Sequence, residues 1–263
     1  MLSKSLTLLL TLYIVFAGTA VVHAKGNTRL VLTGSSTVAP LALEMAKRFE
    51  KSHPGVRIDV QTGGSSRGVV DARTGRADIG MASRSLNQSE SDLFSHTIAF
   101  DGISIILNKS NPINSLSNVQ IQNIYTGKIR NWYQVGGPKM PITVVNKAEG
   151  RSTLELFLHH FGLKNSNIKA SVIIGDNQQG IKTVSGNPGA IGYVSVGAAE
   201  FEEGYGTPIK LLPMSSPLSR PLNLITKQAP DGLAKQFILF AQSSEVNDLI
   251  EEQYFVSLAA PSK

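Results

Sequence analysis

The sequence predicts an α/β protein with two lobes, each a mixed, mostly parallel sheet flanked by helices, joined by two crossing strands. Three observations lead to this prediction. Strand and helix patterns alternate along the chain, which is typical of parallel strand–helix–strand units. A long apolar strand runs into a turn between Asn108 and Pro112, after which a fresh unit begins. A second long strand follows that unit and leads into the closing helices.

The first unit begins with the short strand TRLVLTG and an amphipathic helix, VAPLALEMAKRFEKSHPG. Apolar residues recur on one face of that helix, and Pro54 and Gly55 are expected to end it. The unit continues, in order, with the strand VRIDVQT, the helix GVVDARTGR, the strand ADIGMAS and the long strand FDGISIILNKSNPI. We expect residues 25–108 to form the first part of lobe 1.

The second unit alternates in the same way, and we expect it to form lobe 2 over residues 109–217. Its predicted elements are the helix LSNVQIQNIYTG, the strand PITVVNK, the helix STLELFLHHFGLK, the strand SVIIGD, the helix QQGIKTVSG and the strand GAIGYVSV. The long strand near RPLNLITK then returns the chain to lobe 1. Residues 218–263 complete that lobe with helical patterns in GLAKQFILFAQSS and EVNDLIEEQYF.

The N-terminal segment, residues 1–24, has the features of a secretory signal peptide. Lys4 precedes an apolar core, LTLLLTLYIVFAGTAVV, and small residues up to Ala24 resemble a cleavage site. The apolar run is also near the lower end of membrane-spanning length, so an uncleaved anchor is the alternative. The chain has no cysteine, and we therefore expect no disulfide and no lipid anchor. These features indicate a soluble periplasmic or secreted bacterial protein.

Charge and composition narrow the class of ligand. The formal net charge is +6, with the basic residues scattered along the chain, and such a balance favours small anionic ligands. A basic stripe with interleaved aromatic residues is missing from the sequence, so we expect no nucleic-acid partner. The sequence also shows no His/Asp/Glu cluster with metal-ligand spacing, and we expect no metal and no cofactor. We expect a monomer.

Two turns rich in glycine and hydroxyl residues, GSSTVAP and GGSSRG, each follow a predicted strand and precede a predicted helix. The first N–H groups of a helix have no intrahelical partner, and the helix dipole places partial positive charge there, so an anion fits. Glycine lets the backbone approach closely, and hydroxyls donate hydrogen bonds. The hydroxyl residues that we expect to serve an anion in these turns are Ser36, Thr37, Ser65 and Ser66.

A third junction of this kind, AEGRSTLELF, places Arg151, Ser152 and Thr153 at the mouth of a predicted helix. Serine and threonine are good helix caps, so one such junction would indicate little. Three junctions, with Lys147 and Arg151 beside the last, favour an oxyanion site. Ligands of open α/β sheets bind beyond the carboxyl ends of the strands, which is where these junctions are expected to meet.

The chain resembles a known family, the phosphate-binding proteins of bacterial ABC transporters, within the type II periplasmic solute-binding fold. The motifs that carry the resemblance are GSSTVAPL, GGSSRGV, ADIGMASRSL, FDGISIILNKSNPI, QIQNIYTGKIRNWYQVGG, NKAEGRSTLELF and NPGAIGYVS, in this order and spacing. The resemblance implies a receptor whose lobes close on dehydrated phosphate and deliver it to an inner-membrane permease.

Carried over by motif position, the resemblance implies ligand contacts by Ser36, Thr37, Ser65, Ser83, Lys147, Arg151, Ser152 and Thr153. The chain departs from the family pattern in three places, and in one of them Arg151, Ser152 and Thr153 fill the place of a Ser-Gly-Thr turn. Ser83 stands where many members have an acidic residue that accepts a proton of the bound phosphate. Lys147 stands where members usually have arginine, and it lacks the planar fork of that side chain. Arg151, one turn away, is the expected source of a replacement guanidinium.

Several alternatives remain open. The same cradle suits other tetrahedral oxyanions, namely sulfate, molybdate or tungstate, or a small organic phosphate. The pentapeptide GSSRG also matches the nucleophile elbow of serine hydrolases, with Ser66 as nucleophile and His159 or His160 as base. Against that reading, both histidines fall inside a helical pattern, where we expect one to pack and one to be solvated. An adhesion or signalling module on the same fold is a third class.

Two further arginines, Arg67 and Arg84, lie next to the motifs and within possible reach of the cleft. For each, we expect a solvent-facing or ion-paired side chain.

Overall fold

The computed structural model describes residues 28–214 and 218–258. The predicted signal peptide and the predicted lobe boundary at residue 217 lie outside these ranges. The strands are β1 Arg29–Gly34, β2 Arg57–Thr62, β3 Ile79–Ala82, β4 Phe94–Asn108, β5 Thr143–Lys147, β6 Val172–Ile174, β7 Ala190–Ser195, β8 Ile209–Leu212, β9 Leu218–Thr226 and β10 Val256–Ser257. The helices are α1 Val38–Ser52, α2 Ser65–Thr74, α3 Asn118–Tyr125, α4 Ser152–His160, α5 Asn177–Ser185, α6 Val196–Gly204, α7 Gly232–Ala241 and α8 Asn247–Glu252.

The strands form one mixed sheet in the order β2-β1-β3-β9-β4-β7-β5-β6, with β8 and β10 also paired to β4. At the two ends of this order the pairing is parallel, between β1, β2 and β3 and between β5, β6 and β7. In the middle, β4 and β9 run antiparallel from the pair Phe94–Thr226 to the pair Ile103–Leu218. These two long strands are the crossing strands that the sequence predicts, and the mixed α/β class is confirmed.

The first hydrophobic core lies where α1, α7 and α8 pack on β1, β3 and β9. Helix α1 buries Val38, Leu41, Met45 and Phe49, which recur at helical spacing along one face. Phe49 meets Phe237 of α7 edge to face, with ring centroids 5.5 Å apart. This core belongs to lobe 1.

The second half of the chain has its own buried clusters. The larger one contains Trp132, Tyr125, Phe157 and Tyr193, and the rings of Phe157 and Tyr193 stack at 4.0 Å. A smaller cluster packs α5 and α6 against β7 and β8. Separate cores on either side of β4 and β9 give the molecule its two lobes, with a cleft between them.

Several elements differ from the sequence prediction. Helix α2 begins at Ser65 rather than at Gly68, so Ser65 and Ser66 lie in its first turn. Strand β4 begins at Phe94, six residues before the predicted start, because its N-terminal half pairs with β9. Helix α6 and strand β8 were not predicted.

Within residues 28–214 and 218–258, no helix combines the length and the apolar character needed to cross a membrane.

Candidate functional site

Four helices begin beside one buried polar cluster in the cleft. The cluster consists of Ser35, Thr37, Ser65, Ser83, Asp101, Ser152, Thr153, Asn177 and Arg220. Ser65, Ser152 and Asn177 are the first residues of α2, α4 and α5, and Thr37 immediately precedes α1. Each helix contributes backbone N–H groups that lack intrahelical partners, together with the positive end of its dipole. The cluster therefore has the character of an oxyanion site.

Ser83, which directly follows β3, lies at the centre of the serine hydroxyls of this cluster. Its Oγ lies 2.9 Å from Oγ of Ser35, 3.5 Å from Oγ of Ser65 and 2.5 Å from Oγ of Ser152. Its backbone N–H donates to Oγ of Ser65 at 3.1 Å. Ser152 comes from lobe 2 and the other three serines from lobe 1, so the hydroxyls of both lobes meet at Ser83.

Two glycines allow the three serines of lobe 1 to meet. The turn after β1 has a positive φ at Gly34, and a Cβ there would collide with the carbonyl oxygen of Met81. A Cβ on Gly68 of α2 would lie 2.6 Å from the same oxygen. Because neither residue has a side chain, the turn, α2 and β3 pack at backbone distance. This close packing brings Ser35, Ser65 and Ser83 together.

Arg220 of β9 supplies a buried guanidinium to the cluster. Its Nη1 donates to Oγ1 of Thr153 at 2.9 Å and to Oγ of Ser152 at 3.4 Å, and its Nη2 donates to Oγ1 of Thr37 at 3.1 Å. Asp101 of β4 orients it, because Oδ2 accepts from Nε at 3.1 Å and from Nη2 at 2.8 Å. The planar fork of an arginine, suited to oxyanions, thus reaches hydroxyls of both lobes.

Lys147, the last residue of β5, joins the cluster through Asn177. Its Nζ donates to Oδ1 of Asn177 at 3.0 Å, and Nδ2 of Asn177 donates to Oγ1 of Thr37 at 3.1 Å. Lys147 is 2% exposed. Burial, and next the positive charge of Arg220, lower the pKa of Lys147 to about 7.

Five of the predicted site residues lie within the cluster, one is linked to it by a hydrogen bond, and two lie at its edge. Thr37, Ser65, Ser83, Ser152 and Thr153 lie in the cluster, and Lys147 is linked to it.

Two predicted residues lie at the edge of the cluster. Ser36 lines a cavity of about 350 Å³ whose wall it shares with Thr37 and Asn177. Arg151 precedes α4, and its side chain passes between Gly64 and Gly175. A Cβ atom on Gly64 would lie 2.9 Å from Cδ of Arg151, and a Cβ atom on Gly175 would lie 3.2 Å from its Nη2. The guanidinium within the cluster is that of Arg220, not of Arg151.

Four members of the cluster were missed by the sequence analysis: Ser35, Asp101, Asn177 and Arg220. The sequence contains a feature that could have identified three of them, Asn177, Asp101 and Arg220. The segment GDNQQG is a fourth polar junction between a predicted strand and a predicted helix. Asp101 is the only Asp, Glu, Lys or Arg residue of β4, and Arg220 is the only one of β9. Only the fold shows that Ser35, rather than Ser36, points towards Ser83.

A second interlobe contact lies beside the cluster. Glu155 of α4 has Oε2 at 2.9 Å from Nε of Arg84 and accepts from Oγ of Ser66 at 3.2 Å through Oε1. Arg84 also makes a bidentate pair with Glu90 at 2.7 and 2.8 Å, and hydrogen bonding to Arg84 lowers the pKa of Glu90. Arg67 pairs with Asp71 at 3.1 Å. The expectation that Arg67 and Arg84 are solvent-facing or ion-paired is confirmed.

The geometry around Ser66 differs from that of a nucleophile elbow. Ser66 lies within the first turn of α2, and the described partner of its hydroxyl is Glu155 rather than a histidine. His159 is exposed, whereas His160 is partly buried and meets Phe161 edge to face at 4.7 Å. In the part of the chain that the structure describes, no group of three or more His, Asp or Glu side chains could hold a metal ion.

Comparison with known proteins agrees with this architecture. Residues 21–245 match the family model of a PBP superfamily domain. The phosphate-binding protein PstS of Bacillus subtilis is 26% identical over 252 residues, which cover 88% of this chain and 81% of that protein.

Solved structures give the same result. One from Clostridium perfringens, assigned as a phosphate ABC transporter substrate-binding protein and solved with bound phosphate, is 31% identical. It matches with a TM-score of 0.80 over 88% of this chain and 99% of that one. An ABC-type phosphate transport receptor from Vibrio cholerae is 29% identical, with a TM-score of 0.70 over 87% of this chain and 100% of that one. These relatives are substrate-binding proteins, so the resemblance inferred from the sequence motifs is confirmed, and the chain belongs to the PBP superfamily.

Proposed function

We propose that this protein binds inorganic phosphate in its interlobe cleft and delivers it to the permease of a bacterial ABC importer. The observation that carries the proposal is the cluster in which Ser83 and Arg220 join hydroxyls from both lobes. A ligand between the lobes would gain contacts from both only when they are closed. Relatives that cover nearly the whole chain are phosphate-binding proteins, which supports phosphate as the ligand.

The chemistry of the cluster suits a tetrahedral anion with several oxygens. Hydroxyl groups of Ser35, Ser65, Ser83 and Ser152 can each donate one hydrogen bond, and Arg220 offers a charged fork. Burial excludes water, which strengthens each of these bonds to a charged ligand. The proposed binding residues are Thr37, Ser65, Ser83, Ser152 and Thr153, with Ser35 and Arg220 added, and with Lys147, Arg151 and Ser36 at the edge.

The role that follows is that of a monomeric, periplasmic receptor rather than an enzyme. Phosphate delivery requires a partner in the inner membrane, and the open-to-closed change of the lobes would signal the loaded state to it. Residues 25–108 and 218–263 would move as lobe 1 and residues 109–217 as lobe 2.

Sulfate and molybdate are the rival ligands, because Ser83 places a hydroxyl at the centre of the cluster. A hydroxyl can donate or accept, whereas a carboxylate there would reject an oxyanion that has no proton to give.

Calorimetric titration of the purified protein with phosphate, sulfate and molybdate tests the proposal. We expect saturable phosphate binding at one site, weakened in Arg220→Lys because lysine lacks the fork. Arg57→Lys is the matched control, since Arg57 is an arginine at the protein surface, 74% exposed, and its replacement should leave affinity unchanged. Absence of heat with phosphate, together with clear binding of sulfate or molybdate, would contradict phosphate as the ligand.

A further inference from the structure

We infer that Lys147 takes up a proton when the cleft binds its oxyanion, and that it acts as a charge-matching residue joined to the ligand cluster through Asn177. The inference rests on the proposed function, and it adds a property that the proposal does not contain. It concerns the charge state of the protein with and without ligand.

Within the described part of the chain, the amine of Lys147 has too few hydrogen-bond acceptors around it to satisfy a buried ammonium ion. A protonated lysine has three N–H donors. Among the described residues, the hydrogen-bond acceptor of Lys147 Nζ is Oδ1 of Asn177, a neutral amide oxygen at 3.0 Å. The hydroxyl of Tyr193 on β7 contacts the backbone N–H of Lys147 rather than its amine. An ammonium ion here would leave donors unsatisfied at 2% exposure, which is costly.

The charges that face Lys147 also favour the neutral amine. Arg220 of β9 and Arg151, at the start of α4, both lower its pKa, and Asp176, before α5, raises it. The carboxylate of Asp101 is already engaged by Arg220. Positive charge therefore predominates around the amine, and this agrees with its pKa of about 7.

A bound oxyanion would favour the protonated form of Lys147 over the neutral amine. Its negative charge lies among the side chains that Arg220 and Asn177 contact, and an opposite charge within a few ångströms favours the protonated amine. The step is a simple protonation, in which the lone pair of Nζ accepts a proton from solvent or buffer and the ligated cleft gains one positive charge. Affinity then falls as pH rises above 7, by up to tenfold per pH unit.

Proton uptake can be measured directly. The protein is titrated with inorganic phosphate at about pH 8.5 in two buffers of different ionisation enthalpy, where the free Lys147 amine is largely neutral. The dependence of the binding heat on buffer gives the number of protons taken up. We expect close to one proton per phosphate for the unchanged protein.

The matched variant is Lys147→Arg, which keeps the positive charge but stays protonated throughout. Phosphate itself titrates near neutrality, and uptake by the ligand would persist in this variant, whereas uptake by Lys147 would disappear. Lys147→Met, which cannot take up a proton, provides the same comparison if Lys147→Arg does not fold. Binding with no proton uptake, or with equal uptake in the unchanged protein and the variants, would overturn the inference alone. Absence of phosphate binding would overturn the proposed function and the inference together.

Discussion

Asp101 and Arg220 lie directly opposite each other in the antiparallel pair of β4 and β9, with Oδ2 of Asp101 2.8 Å from Nη2 of Arg220. Their side chains are 0% and 1% exposed. The other oxygen of Asp101 accepts from the backbone N–H of Gly197 at 3.2 Å. The carboxylate thus fixes the guanidinium at the point where both crossing strands pass the cleft, and it gives the cluster a rigid donor.

Replacing Asp101 by Asn should weaken phosphate binding by about 2–5 kcal/mol, because the amide no longer holds the guanidinium of Arg220 in place through charge-assisted hydrogen bonds. Calorimetric titration measures the change. Asp59→Asn is the matched control, since Asp59 also pairs with an arginine on a neighbouring strand but far from the cluster. Equal affinity in Asp101→Asn and the unchanged protein would show that Arg220 does not depend on Asp101 for its role.

The contact of Glu155 with Arg84 and Ser66 should stabilise the closed lobes. Glu155→Gln should release phosphate faster, with a loss of about 1 kcal/mol or less, because Glu155 is partly open to solvent. Stopped-flow measurement of the dissociation rate tests this. Glu44→Gln, at a carboxylate of the same 42% exposure paired with Lys47, is the control. An unchanged dissociation rate in Glu155→Gln would argue against a role in closure.

The buried amine of Lys147 should make stability depend on pH. The unfolded chain holds the lysine proton up to a pKa of about 10.5, whereas the folded protein loses it near pH 7. Between these values the unfolded state binds more protons, so the free energy of unfolding rises with pH, by up to about 1.4 kcal/mol per pH unit. Urea denaturation without ligand at about pH 7, 8 and 9 should show this rise relative to Lys147→Met. A constant difference between the two proteins would contradict it.

The hydroxyl of Ser83 should set the choice between oxyanions. A carboxylate introduced by Ser83→Asp would accept from the neighbouring hydroxyls and repel a ligand that carries no proton. Sulfate binding should therefore fall more than phosphate binding in competition titrations. Ser83→Ala, which removes the hydroxyl without adding charge, is the control for loss of the contact. An equal loss for both anions in Ser83→Asp would mean that this position does not select the protonation state.

Local patterns predicted most of the fold, because the strands and the amphipathic helices follow from periodicity and turn residues. The hydroxyl junctions at Ser65 and Ser152 could be recognised for the same reason. The role of Arg220 could not, since it lies 183 residues from Thr37 in the chain and meets it only because β9 pairs with β3, which in turn pairs with β1. The direction of Ser35 depends on the conformation at Gly34, which a sequence does not state.

A crystal structure of the phosphate-saturated protein would show the position of the ligand. We expect phosphate enclosed between the lobes, within hydrogen-bonding distance of Ser83, Ser152 and the guanidinium of Arg220. Phosphate bound at the protein surface, or in the cavity beside Ser36 with Arg220 uncontacted, would contradict this expectation.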